Sequence, residues 1–124
     1  MAKKMNLTQH PATPEQVDAG VIEPSSELKG KVRDLLTFED IPSKPEMTAR
    51  AEALAEIVKK EGYSIALVGG APFFMSTLEK ALIREGIKPV YAFSRRESVE
   101  TTLPDGSVVK KNVFRHLGFV EVSE

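Results

Sequence analysis

Two arginines, a histidine and a pair of glycines are the residues of this 124-residue chain best suited to chemistry on an anion. Arg95 and Arg96 follow the apolar run Val90-Tyr91-Ala92-Phe93. A guanidinium is a two-pronged donor that matches a phosphate, so one of the pair suits a phosphate clamp. A salt bridge to Glu97 or Glu100 is the competing role. Adjacent side chains also diverge along a strand, so both arginines need not serve one ligand. Gly69-Gly70 stands between the apolar run Ser64-Ile65-Ala66-Leu67-Val68 and a helical pattern that begins near Phe73. Residues without side chains let backbone approach a ligand, and the amides at a helix start favour an anion. The same pair also makes an ordinary sharp turn, and neither a dinucleotide fingerprint nor a Walker loop is present. His10 sits where a first strand gives way to Pro11. Its imidazole can take or give a proton near neutral pH, or it can cap the turn.

These considerations name His10, Arg95 and Arg96 as candidate catalytic residues. Thr8, Gln9, Gly69, Gly70, Ala71 and Ser94 are candidate ligand contacts, with Arg115 and His116 completing a positive rim together with Lys110 and Lys111. The rim residues can equally face water on an edge strand, where charge suppresses aggregation. Tyr91 or Phe93 could stack on a single nucleobase, although Tyr91 also suits a core. Two histidines far apart in the chain, with no paired acidic motif, do not form a metal-ligand cluster, and neither a metal nor another cofactor is expected. Ser76, Ser94 and Ser98 lack a motif-defined base, and Gly-x-Ser-x-Gly is absent, which argues against a serine hydrolase. The absence of cysteine excludes disulfides, thiolate zinc sites and cysteine nucleophiles.

The elements that must position these residues follow from periodicity and punctuation. Met5 to Gln9 reads as a short strand stopped by Pro11, because the residue before proline avoids the helical region. Thr13-Pro14-Glu15-Gln16 offers an N-cap, a proline at the first helical position and an acid in the first turn, before Gly20 stops the helix. Pro24 to Thr37 reads as a helix with Leu28, Val32, Leu35 and Leu36 on one face, and Pro45 to Glu61 as another with Met47, Ala51, Leu54, Ala55 and Val58. Ser64 to Val68 reads as a strand buried on both faces, Phe73 to Glu85 as a helix and Lys88 to Phe93 as a strand: a parallel βαβ unit with Pro89 at the start of its second strand. Val99 to Thr102 and Ser107 to Val109 flank the turn Pro104-Asp105-Gly106, and Phe114 to Val122 reads as a last strand. The expected architecture is one α/β domain over residues 1–124, a small Rossmann-like three-layer sandwich with a mostly parallel sheet and a C-terminal β-hairpin. Its expected core is Leu35, Leu54, Val58, Leu67, Leu78, Leu82, Val90 and Phe93. Ligands of such sheets sit beyond the carboxyl ends of the parallel strands, where Thr8-Gln9-His10, Gly69-Gly70-Ala71 and Ser94-Arg95-Arg96 would converge.

Composition is consistent with a globular domain, with 41% hydrophobic and 28% charged residues. The formal net charge of −1 argues against a general DNA binder. From Lys88 to His116, however, 6 basic residues face 3 acidic ones, enough to focus an anionic ligand if they share a face. No apolar run approaches membrane-spanning length and no secretion signal is read at Met1-Ala2-Lys3-Lys4, so a cytoplasmic location without membrane association is expected. An open sheet with a charged hairpin has an edge to manage, and a homodimer is the expected solution.

The segments Asn6-Leu7-Thr8-Gln9-His10-Pro11-Ala12-Thr13-Pro14-Glu15-Gln16, Tyr91-Ala92-Phe93-Ser94-Arg95-Arg96-Glu97-Ser98-Val99-Glu100 and Asn112-Val113-Phe114-Arg115-His116 resemble an uncharacterised family of small bacterial and phage proteins. A more distant likeness, carried by Gly86 to Arg96 and Val113 to Phe119, is to small Rossmann-like CRISPR-associated proteins. Among these are ring nucleases that cleave cyclic oligoadenylate messengers. The middle helices are not matched. The likeness implies an RNA-derived ligand at the strand-end loops and brings no catalytic side chain with it. Three functions remain open on the sequence: a metal-independent nuclease for cyclic or short oligoribonucleotides, a non-catalytic nucleotide-binding regulatory module, and a structural protein-interaction domain.

Overall fold

A computed structural model describes residues 2–122. The order of elements is β1 (Lys4–Leu7), α1 (Pro14–Asp18), β2 (Val21–Ile22), α2 (Ser26–Leu36), α3 (Lys44–Lys60), β3 (Ile65–Val68), α4 (Pro72–Arg84), β4 (Lys88–Thr102) and β5 (Val108–Glu121). The first three helices start where a hydroxyl can satisfy an open amide: Thr13 accepts from the Gln16 amide, Ser25 from that of Leu28 and Ser43 from that of Glu46. Gln16 returns the bond to Thr13, closing a capping box around α1.

The five strands form one sheet in the order β2-β1-β3-β4-β5. All pairs are parallel except β4–β5, which is antiparallel. The expected mixed α/β fold, with a mostly parallel sheet, flanking helices and a C-terminal hairpin, is the fold observed. From β1 the chain steps outward to β2 and then returns across β1 to reach β3. That reversal puts the topological switch point between β1 and β3, where doubly wound sheets open a crevice at their carboxyl ends.

Strand alternation divides the core. Met5 and Leu7 of β1 and Ala66 and Val68 of β3 pack against Val32 and Leu36 of α2, Leu54 and Val58 of α3, and Phe74, Leu78 and Leu82 of α4. On the opposite face Val21, Leu67 and Val90 form a smaller cluster, with Ala12, Ile65 and Phe119 against it. Six of the residues expected in the core, Leu54, Val58, Leu67, Leu78, Leu82 and Val90, are buried. Leu35 is only half-buried at the edge of the large cluster. Phe93 is 52% exposed, because β3 pairs with β4 only from Ile65↔Lys88 to Leu67↔Val90. Pro89 is fully buried at the second position of β4.

Boundaries differ from the sequence reading in three places. β1 ends at Leu7 rather than Gln9, because the Thr8 amide turns back to the Asn6 side-chain oxygen (2.9 Å) and leaves the ladder. β2, only two residues long, was not expected. The hairpin is much longer than its turn signal implied: Lys88–Thr102 is one strand and Val108–Glu121 another, paired through to Thr102↔Val108. Beyond Phe93 the only strand partner of β4 among the described residues is β5, so the ladder projects past the carboxyl ends of β1 and β3 as a two-stranded arm. Asp105 organises its tip by accepting from the amide (2.9 Å) and hydroxyl (2.6 Å) of Ser107. A bulge stands at the base of the arm: Phe93 pairs with Gly118 and Ser94 with His116, leaving Leu117 as the extra residue. Gly118 takes the positive φ of +154° that this kink needs. Among the described residues no helix is long and apolar enough to cross a membrane.

Candidate functional site

A cleft of about 770 Å³ opens at the β1–β3 switch point. Its floor is the ends of those strands, Thr8 to Pro11 on one side and Leu67 to Ala71 on the other, and its far wall is Phe38, Phe73 and Tyr91. Two of the three expected strand ends therefore converge, bringing Thr8, Gln9, His10, Gly69, Gly70 and Ala71 to one concave surface.

The loop after β1 is held from beneath by Asn6, the one buried polar residue among the described residues, at 2% exposure. Its Nδ2 donates to the His10 carbonyl (2.9 Å) and to Glu23 Oε1 (2.7 Å). Its Oδ1 accepts from the Thr8 amide (2.9 Å) and the Thr8 hydroxyl (2.7 Å). All four bonds available to a carboxamide are made, so a buried amide that would otherwise destabilise the fold sets the path of Thr8 to His10. Glu23 also accepts from the Ala12 amide (2.9 Å) and lies 3.3 Å from Lys29 Nζ. Burial pushes its carboxyl up, but the bonds from Asn6, Ala12 and Lys29 together outweigh this and hold it below the ordinary value. The His10 imidazole is exposed and makes no hydrogen bond among the described residues.

Across the cleft, Gly69 runs close to this loop: a Cβ there would meet Thr8 Cγ2 at 3.4 Å. Gly70 has φ +153°, a conformation side chains disfavour. Helix α4 starts immediately after. Its N-cap is Ala71, which provides no side-chain acceptor, and no acid stands in its first turn; α1, α2 and α3 each have both. The positive end of the α4 dipole is thus uncompensated at the cleft.

The aromatic wall is braced from α3. Arg50 lies with its guanidinium carbon 4.4 Å from the Phe38 ring centroid and donates to the Thr37 carbonyl at 2.6 Å. Phe38 meets Phe73 and Phe74 edge-on, at 5.2 and 5.1 Å between centroids. Phe74 is buried, whereas Phe73 keeps 55% of its surface exposed beside the cleft. Tyr91 donates its hydroxyl to Glu79 at 2.5 Å, and burial together with this carboxylate raises its phenol far above the ordinary range.

A model of one protein family matches residues 2–120. The chain belongs to the Uncharacterized protein MJ1673 family. No curated protein and no solved structure matches it. The match is to an uncharacterised family, as expected from the sequence.

In this member of the MJ1673 family, the third expected strand end does not line the cleft. β4 continues through Ser94, Arg95 and Arg96 as the arm, and strand alternation sends the two arginines to opposite faces. Arg95 donates to Glu97 (3.1 Å), as does Arg115 (2.6 Å). The Arg115 and Arg95 guanidiniums hold the Glu97 carboxyl below its ordinary value. The competing salt-bridge role is thus the one Arg95 fills. Arg96 pairs in register with Phe114 and makes no ion pair among the described residues. His116 pairs in register with Ser94, its ring edge-on to Phe119 at 4.8 Å and its buried Nδ1 without a hydrogen-bond partner. Lys110 faces Glu100 at 3.7 Å.

The cations nearer His10 lie on α2. Lys29 and Arg33 line a second depression of about 390 Å³ that shares the loop Thr8 to Pro11. Sequence reasoning missed these two, together with Asn6, Phe38 and Phe73. Asn6 had a local signal, a carboxamide two residues before a threonine at the end of an apolar strand. Phe38 and Arg33 had none, since only the tertiary packing of α2 brings them to the strand ends.

Proposed function

We propose that the cleft binds an RNA-derived anion, a cyclic or short oligoribonucleotide, with a phosphate over Gly69-Gly70 and a base against Phe73. The observation that carries this reading is the meeting, at one switch point, of a strand-end cleft with the helix start that has neither a side-chain cap nor an acid. The exposed Phe73 ring offers a stacking surface, which favours a nucleotide over a bare phosphate. The likeness of Gly86 to Arg96 and Val113 to Phe119 to CRISPR-associated ring nucleases points to the same ligand class, by analogy.

Cleavage is the second reading, favoured by the His10 imidazole at the rim of the cleft. The ribose 2′-hydroxyl attacks the adjacent phosphorus while His10 takes its proton; the bond to the 5′-oxygen breaks, leaving a 2′,3′-cyclic phosphate and, after protonation, a 5′-hydroxyl. Amides at the start of α4 stabilise the added negative charge, and no metal takes part. Arg95 and Arg96, outside the cleft, have no role in this scheme unless the arm bends over the ligand.

Calorimetry with cyclic and linear oligoadenylates, followed by mass spectrometry of the same mixtures in EDTA, separates the two. Saturable binding with intact ligand supports the module; a cyclic-phosphate product lost in His10→Ala supports the nuclease. No binding by any oligoribonucleotide overturns both.

A further inference from the structure

We infer that the β4–β5 arm of one copy seats on an apolar patch beside the cleft of a second copy, in a reciprocal two-fold exchange. This inference shares Phe73 with the ligand contacts proposed above but does not rest on them.

The receiving patch is formed by Phe38, Ile41, Pro42, Met47 and Phe73. Ile41 is 98% exposed, on the segment between α2 and α3, and has essentially no cover from its own chain. Glu39 and Asp40 border the patch, and neither makes an ion pair among the described residues. Apolar ground rimmed by carboxylates that form no ion pair suits a partner that is apolar and basic.

The arm has that chemistry on one face. Phe114 is 70% exposed and stands in register with Arg96, whose guanidinium is likewise without an ion pair among the described residues. On the opposite face Arg95 and Arg115 are already tied to Glu97. Lys111 stands on that opposite face too, in register with Val99, so both faces are basic. The Phe114–Arg96 face is the one that sets an exposed aromatic ring beside that unpaired guanidinium, and such side chains are the usual anchors of an interface. The arm as a whole is net positive and the rest of the chain net negative, which favours arm on body over arm on arm. Reach is adequate, since Ser94 to Thr102 spans roughly 30 Å as an extended strand. A two-stranded ribbon without a third strand or a packed face is marginal in water, so seating it also gives the arm the support its own chain withholds. Contact made by symmetry on both sides closes the assembly at two copies. Because Phe38 and Phe73 belong to both the patch and the cleft wall, the second copy's arm becomes a wall of the site.

Sedimentation velocity of the full chain from low micromolar to near-millimolar concentration tests this. The wild type is expected to be a dimer that weakens with salt. Phe114→Asp, Arg96→Glu, Ile41→Asp and the pair Glu39→Lys with Asp40→Lys are each expected to raise the dimer dissociation constant by more than about tenfold, with circular dichroism unchanged. A chain carrying Arg96→Glu together with Glu39→Lys and Asp40→Lys is expected to regain the dimer, which misfolded variants would not do. A wild type that stays monomeric overturns the inference. So does a dimer indifferent to both arm and patch variants, or an arm whose variants change only the binding of single-stranded RNA. The cleft reading survives any of these, because oligoadenylate binding is measured separately and depends on Gly69 and Gly70.

Discussion

Asn6 Nδ2 lies 2.7 Å from Glu23 Oε1, a bond that joins the end of β1 to the residue after β2 beneath the cleft. Removing the carboxamide strands the Thr8 amide and takes one of two bonds from Glu23 Oε1, which keeps the Ala12 amide. Asn6→Ala is expected to destabilise the protein by about 2–3 kcal/mol in urea unfolding. Asn6→Asp sets a second carboxylate against Glu23, and its stability should recover as pH falls and one of the two is protonated.

The Glu23 carboxyl is depressed in the folded state, and the sign of its effect follows. Its contribution is full above the unfolded value near 4.5 and is lost as pH falls through the lower folded value. Glu23→Gln should therefore flatten the acid limb of the stability profile below that point, read from denaturant midpoints at successive pH values.

Tyr91 works in the opposite direction. Its phenol is raised in the folded state, so the contribution is full below the ordinary tyrosine value near 10 and is lost as pH rises toward the folded one. Tyr91→Phe should weaken the decline in thermal stability at alkaline pH. Ultraviolet difference spectra should show Tyr91 ionising only above the ordinary range while the protein stays folded.

Gly69 and Gly70 should separate under alanine scanning. Gly69→Ala places a methyl in ordinary contact with Thr8 Cγ2, so thermal melting should move little while oligoribonucleotide binding weakens. Gly70→Ala is strained at φ +153° and should lower stability by roughly 1–3 kcal/mol as well.

Truncation in the two halves of the molecule should differ in kind. Leu78→Ala, fully buried among strands and helices, is expected to destabilise by about 2–5 kcal/mol. Leu67→Ala belongs at the lower end of that range, because its cluster on the other face is small. Phe114→Ala, on the exposed arm, should stay within about 0.5 kcal/mol in a dilute monomer, measured by the same denaturant series.

The parts of the fold legible in the sequence were those with a strong period or a strong stop. The apolar run ending at Val68, the glycines after it and the helix opening at Pro72 put β3 and α4 within a residue or two of where they lie. The same run identified one side of the cleft, and His10 before Pro11 identified the other. The hairpin was read from its turn at Pro104-Asp105-Gly106, but its length escaped because Ser94 to Ser98 alternates one polar residue with another, so a ribbon wet on both faces has no apolar period to read. Its arginines were consequently assigned to a strand end that does not exist. Phe38 escaped for a different reason: it leaves α2 at a break in the pattern, and Arg50, from the next helix, fixes it.

The sheet order also governs how the chain closes as it is made. β1 is made before β2 and finds two rungs on it, Lys4↔Val21 and Met5↔Ile22. Its other edge waits for Ala66, Leu67 and Val68, with α2 and α3 already synthesised and no sheet complete enough to receive them. Loop closure over so long a stretch is slow. A nascent polypeptide therefore keeps Met5 and Leu7 uncovered until β3 is made, the interval in which a chaperone has something to hold. The arm is translated after β3 and α4, as a local hairpin, onto a body whose interior is already shut.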